Sequence, residues 1–149
     1  MQVHTKAYGK IEVDERQRID FPYGILGFEN FHNFILLDAQ QQPFYWLQSL
    51  DVAEIAFVLI EPTIFRPDYT PDVPQEELHD IDIEKKEDML VLTIVTIPEN
   101  YQDMTANLQG PILINREKRI GRQSISQNQN WKIRHKILDE LARERNEVC

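Results

Sequence analysis

Cysteine is almost missing from this chain, with one in 149 residues, Cys149. No internal disulfide framework can be built, which excludes the small stapled scaffolds of secreted proteins and suits a reducing compartment. A cytoplasmic location is the expectation. Glycine is scarce as well, and neither a dinucleotide-binding nor a P-loop glycine pattern occurs; the pair Gly24 and Gly27 has the wrong spacing. There is no G-x-S-x-G elbow for a nucleophilic serine. The histidines His4, His32, His79 and His135 stand far apart, not at the short spacings of metal ligands. Carboxylate pairs are common only because acids are common, so they do not point to general acid–base work. No catalytic residue, metal or cofactor is expected. Long apolar runs are lacking too: Ala56 to Ile60 is among the longest, far short of the ~20 residues of a membrane span. His4, Lys6 and Lys10 interrupt the N-terminal stretch before an apolar segment forms, so neither a secretory leader nor a membrane span is expected.

What is present fits one compact unit. A chain of this length buries roughly 68–70% of its unfolded surface and needs no staple. The net charge of −9 is unevenly spread: residues 1–110 carry −13, and residues 111–149 carry +4. An acidic body repels phosphate backbones and favours solubility, so direct nucleic-acid binding is not expected.

Short strand patterns fill most of the chain. Val3 to Tyr8, Ile11 to Val13 and Arg18 to Phe21 read as strands, followed by Phe31 to Leu37, Phe44 to Leu47 and Ile55 to Ile60. Met89 to Ile97 is the strongest, β-branched and stopped by Pro98, and belongs in the centre of a sheet. Ile112 to Ile114 and Ile120 to Ile125 complete the set. Between Phe21 and Phe28, two glycines and a proline interrupt large apolar side chains; this segment must bend sharply twice, as a buried corner or a binding lip.

Residues 62–88 differ. Pro62, Pro67, Pro71 and Pro74 break regular structure, and from Asp68 to Asp88 the net charge is −7. Pro74 to Leu78 has the make-up of a short helix's first turn. A charge run of this kind is either a solvated face or a surface for a basic partner. Phe65 and Tyr69 can serve as apolar anchors ringed by Asp68, Asp72, Glu76 and Glu77; equally, they can pin the loop to the body of the protein. The tail repeats Ile133, Ile137 and Leu141 at a spacing of four, which predicts an amphipathic helix from about Trp131 to Glu147. The expected organisation is a mainly β domain over 1–130 and a helical tail over 131–149. The tail can pack on the domain, bind a partner or fray.

Three blocks, in order, resemble the bacterial flagellar assembly factor FliW family. They are Ile19 to Phe28; Pro43-Phe44 through Leu47-Gln48-Ser49; and Thr105 to Asn115 followed by Gly121-Arg122-Gln123. Gly110 stands where the family more often has Ala, a change expected to be harmless at a turn, and the charged tail is longer than the usual ending. The resemblance implies a small antiparallel β-barrel without an active site. It implies two protein partners: the translational repressor CsrA, which family members stop from silencing flagellin translation, and flagellin itself. The free protein is expected to be monomeric. Asn107, Gln109 and Asn115 are expected to bond turn backbone rather than a partner. Two other classes remain: a single-strand nucleic-acid binder of OB type stacking bases on Phe44, Tyr45 and Trp46, and a small enzyme or ligand-binding barrel with a deep polar pocket.

Overall fold

The computed structural model describes residues 1–148, so Cys149 lies outside the described residues. Its strands are β1 (Gln2–Thr5), β2 (Gly9–Glu12), β3 (Arg18–Asp20), β4 (Asn33–Asp38), β5 (Tyr45–Ser49), β6 (Ala56–Ile60), β7 (Met89–Thr96), β8 (Thr105–Ala106), β9 (Ile112–Asn115), β10 (Ile120–Gln123) and β11 (His135–Lys136). Two α-helices accompany them, α1 (Gln75–His79) and α2 (Ile137–Val148).

A ring closes because β7 is long enough to hold two partners along one edge. Its first half, Met89 to Leu92, pairs with β9, and its end, Val95 and Thr96, pairs with β8. The ring runs β7-β6-β5-β4-β3-β10-β9 and back to β7. Every pairing is antiparallel except the short contact of β10 with β3 at Ile120 and Asp20. Closure leaves the ring without a free edge. β1 and β2 form a separate hairpin.

The continuous apolar runs have a physical reason: most strands are covered on both faces. Alternate side chains point into the ring, where Phe34, Leu47, Leu59, Leu90, Leu92, Ile112 and Ile114 pack with Ile19, Phe21 and Ile25. The intervening ones point outward and meet three covers. Ile35 and Leu37 lie under the β1–β2 hairpin against Val3 and Val13. Leu113 lies under Ile81 and Ile83 of the acidic segment. Ile60 and Val95 lie under Phe65, Tyr69, Trp131 and Ile137.

The last cover departs from the expected tail. Trp131 is buried, and its indole N–H donates to the Thr70 carbonyl at 2.9 Å. His135 and Lys136 pair with Ala106 and Thr105, extending the sheet. The helix therefore starts at Ile137, not Trp131, and Ile133, the supposed first member of its apolar stripe, is 60% exposed. A period-four pattern cannot distinguish a helix from a strand followed by a helix when the pattern spans the junction.

Candidate functional site

The acidic segment is tied to the barrel at fixed points. Phe65 is fully buried and Tyr69 nearly so, with the Tyr69 hydroxyl donating to the Leu108 carbonyl at 2.8 Å. They are not the exposed anchors of a partner surface; they pin the loop, which was the other expectation for them. Apolar rings among polar residues look the same in sequence whether they face a partner or their own core. Trp131 packs on Tyr69 with ring centroids 4.9 Å apart, and the Arg66 guanidinium lies 4.8 Å from the Trp131 ring.

Arg66 also bonds Asp68 at 3.0 Å and the buried Glu140 of α2 at 2.6 Å. Both contacts hold the Arg66 pKa above its ordinary value, the Asp68 bond most strongly. In return the Arg66 side chain draws the Asp68 carboxyl down. His135 completes this latch. Its Nε2 accepts the Lys132 N–H at 2.8 Å, which leaves Nδ1 to carry the proton facing Glu140 at 3.2 Å. The tyrosine hydroxyl of Tyr69 is pushed up by burial, with the Asp72 charge adding to it.

Asp72 is a second tie. It takes a left-handed φ of 50°, and its carboxylate accepts from Asn128 Nδ2 at 2.9 Å and Thr70 Oγ1 at 2.7 Å. The Asn128 bond, with that of Thr70 behind it, holds its pKa below the usual carboxylate value. A carboxyl depressed in the folded state adds stability that is complete above its unfolded value, near 3.8, and is lost as the pH falls through the folded one. The contribution of Asp72 should therefore stay constant from about pH 8 to about pH 5 and begin to fall only as the pH drops below about 4. Melting curves of Asp72→Asn against pH should show a flatter acid limb than the wild type; an identical limb would mean that these bonds add nothing net.

Arg122 on β10 is the third tie. It bonds Glu77 at 3.0 Å and Asp80 at 2.9 Å, one on and one just after α1. Its guanidinium lies 4.7 Å from the ring of Tyr23. Lys118 holds Asp82 at 3.1 Å, and buried Asn115 donates to the carbonyls of Ile81 and Asp82. Of the acids expected to face a partner, Asp68, Asp72 and Glu77 are thus engaged internally. Glu76, with Glu84 and Glu87, points outward and makes no ion pair among the described residues.

Tyr23 belongs to the bent segment, and both predicted bends are present: Gly24 has φ 68° and Gly27 φ 87°. Phe21 and Ile25 are buried, while Tyr23 is 53% exposed and Leu26 55% exposed. Phe28 is exposed at its rim and meets Phe57 edge-on at 5.1 Å. The segment is therefore a lip as well as a corner. Gln123 holds it in place, accepting the Leu26 N–H at 3.0 Å and donating to the Gly110 carbonyl at 3.0 Å. Asn107 in turn accepts the Gly110 N–H at 2.9 Å, so Asn107 and Asn115 bond turn backbone as expected. Gly110 itself has no left-handed φ; an added Cβ would sit 2.9 Å from Gln123 Nε2 and 3.0 Å from Asn107 Nδ2. Alanine there requires these two amides to shift, so the site is less tolerant than a bare turn.

The result is one composite surface: an apolar lip, Arg122 behind it, and an acidic segment on the other side of Arg122. Sequence reasoning found the lip and the acids but not Arg122, whose only signal was its place in the third block. The aromatic triplet does not form one three-ring platform: Tyr45 faces the ring interior, away from Phe44 and Trp46, which line one groove on the other face. Among the described residues no group of three or more His, Cys, Asp or Glu is placed to hold a metal ion, and no helix is long and apolar enough to cross a membrane.

Comparison with known proteins identifies this architecture. The FliW protein family model matches residues 2–137. The chain belongs to the FliW family. The flagellar assembly factor FliW of Treponema denticola is 43% identical over 95% of this chain and 96% of its own length. That of Leptospira interrogans is 45% identical, with the same coverage of both chains. A crystal structure of the flagellar assembly factor FliW superposes with a TM-score of 0.86 at 38% identity, covering 92% of this chain and 96% of that one. The family model ends at the first residue of α2, whereas the alignments with these relatives cover 95% of this chain and so reach into the helix; the helical tail is therefore not an addition peculiar to this chain.

Proposed function

We propose that this FliW-family chain is a cytoplasmic, protein-binding regulator of flagellar assembly that captures the repressor CsrA and relieves its silencing of flagellin translation. Flagellin is its second partner and occupies it until secretion. The observation that supports the repressor half is the acidic segment, fixed to the barrel by buried rings and by Arg66, Arg122 and Lys118, with Glu76, Glu84 and Glu87 left outward. A fixed array of carboxylates attracts a basic RNA-binding protein and repels the RNA phosphates at the same time. Displacement of RNA then needs no overlap with the RNA-binding face.

Reversing Glu76, Glu84 and Glu87 to Lys together should weaken binding of purified CsrA by about tenfold or more, chiefly through slower association. These side chains are exposed and make no ion pair among the described residues, so the melting temperature should hardly move. Titration at low and at physiological salt should give a steep salt dependence for the wild type and a shallow one for the variant. Unchanged affinity in the triple variant would sink the electrostatic account.

A further inference from the structure

The closed ring has one seam that stops short. β6 pairs with β7 only from Val58 to Ile60, opposite Thr93 to Val95, while Met89 to Leu92 have β9 on their other edge. The carbonyls of Asp88 and Ile94 accept from Arg116 and Asn107, on the β9 and β8 side. Main-chain groups alternate along a strand, so those of Met89, Val91, Thr93 and Val95 face the β6 side. Thr93 and Val95 meet Ile60 and Val58 there, and the residue due opposite Val91 is Pro62. Glu61 is still extended, with φ −72° and ψ 120°, but proline has no N–H to give. The Pro62 carbonyl is taken by the N–H groups of Phe65 and Arg66. Among the described residues, the Val91 N–H, the Val91 carbonyl and the Met89 carbonyl thus have no partner along this edge. Two cavities open onto the same stretch. One of about 200 Å³ is lined by Glu61, Pro62, Tyr69, Pro71, Val91 and Arg116. The other, of about 380 Å³, shares Pro71 and Val91 and adds Val73, Leu78, Lys86 and Met89.

We propose that this gap is a docking site for an extended peptide segment, which enters as an added strand beside Met89 and Val91. What the gap offers is main chain: one donor and two acceptors at strand spacing, open to a cavity. Main-chain groups away from bulk water are paired in nearly all folded proteins, and an added strand pairs all three. Only an extended polypeptide repeats N–H and C=O groups at that spacing. Nucleic acid and lipid carry no such series, and a helix spends its groups on itself. Charge does not choose the occupant, since each cavity holds one acid and one base, Glu61 with Arg116 and Asp72 with Lys86. Side chains on one face of the guest enter the apolar wall of Val73, Leu78 and Met89. The site lies under the acidic segment, but the proposal does not rest on the CsrA reading.

Amide hydrogen exchange on the whole chain is the first measurement. In the free protein the Val91 amide should exchange much faster than those of Leu90 and Leu92, which face β9. A peptide selected on the whole chain from a random phage library should then protect Val91, and its consensus should carry apolar residues at i and i+2. Methylating its backbone nitrogens one at a time should weaken binding, read by fluorescence anisotropy, about tenfold at alternate positions and hardly at those between. Pro62→Ala supplies the missing donor to the Val91 carbonyl, so the same peptide should bind that variant about fivefold more weakly. Its melting temperature checks that it folds, and the methylation series needs no variant. A Val91 amide as protected as its neighbours in the free protein would overturn the proposal, as would a helical consensus, no consensus, or methylation effects without period two. Binding with a steep salt dependence that is lost in the Glu76, Glu84 and Glu87 triple variant would place the peptide on the acidic face, overturning this proposal alone. Sedimentation showing self-association of the wild type that Pro62→Ala abolishes would replace the peptide with a second copy.

Discussion

Replacing Trp131 with Ala should lower the unfolding free energy by about 3–5 kcal/mol, the range for losing a buried large aromatic. For a chain of this size that moves the melting temperature by about 10 °C. Trp131 is buried among Ile60, Phe65, Tyr69 and Val95. Its ring meets both Tyr69 and the Arg66 guanidinium, and its indole N–H satisfies the Thr70 carbonyl. Truncation removes all of these and leaves a cavity that the short β8–β11 ladder cannot collapse to fill. Ile133→Ala is the control. If residues from 131 onward were one amphipathic helix, Ile133 would sit on its buried stripe and its loss would be costly. With Ile133 exposed, the change should stay within about 0.5 kcal/mol. Urea titrations of the two variants distinguish the arrangements, since each predicts a different order of stabilities.

The contrast shows what was legible in the sequence. Strand positions were legible because the apolar runs are long and bounded by Pro and Gly, and because both faces of the ring are covered, which keeps the runs continuous. β8 and β11 were not, since a two-residue strand leaves no period to detect. What makes them strands is their pairing with β7 and with each other, a tertiary fact. The same holds for Phe65 and Tyr69. Their surroundings in sequence are polar and proline-rich, yet they are buried because Trp131, far along the chain, folds back over them.

At the candidate surface, the charge imbalance of residues 68–88 was plain, but which acids are available was not. Arg122 and Lys118 engage Glu77, Asp80 and Asp82 from distant positions, and no local spacing announces such pairs, whereas Arg66 and Asp68 are only two residues apart. Gly121, Arg122 and Gln123 show how compact the coding can be. A Cβ at Gly121 would lie 2.7 Å from the Phe21 ring in the core. The next side chain holds α1 and Tyr23, and the one after it holds the lip to the Gly110 turn. Three successive residues therefore place both halves of the surface against one wall of the barrel.

Gly24→Ala should be the more damaging of the two glycine substitutions in the lip, at about 2–4 kcal/mol. Part of that is conformational, because a left-handed φ costs an L-residue about 1–2 kcal/mol, and Gly24 sits at 68°. The rest is collision. An added Cβ would lie 2.6 Å from Glu29 Cα and 2.7 Å from its carbonyl oxygen, backbone atoms that can yield only if the whole turn opens. Gly27 separates the two contributions: its φ is also left-handed, at 87°, but nothing lies within 4 Å of its virtual Cβ. Gly27→Ala should therefore cost only the conformational part, about 1–2 kcal/mol, and leave the lip in place. Opening the turn in Gly24→Ala should also pull Ile25 from the ring interior and separate Phe28 from Phe57. Methyl and aromatic NMR shifts of Ile25, Phe28 and Phe57 should change in that variant and stay put in Gly27→Ala. Equal destabilisation by the two substitutions would mean that the Glu29 backbone moves freely, and that the lip is a loose loop rather than a shape built into the barrel wall.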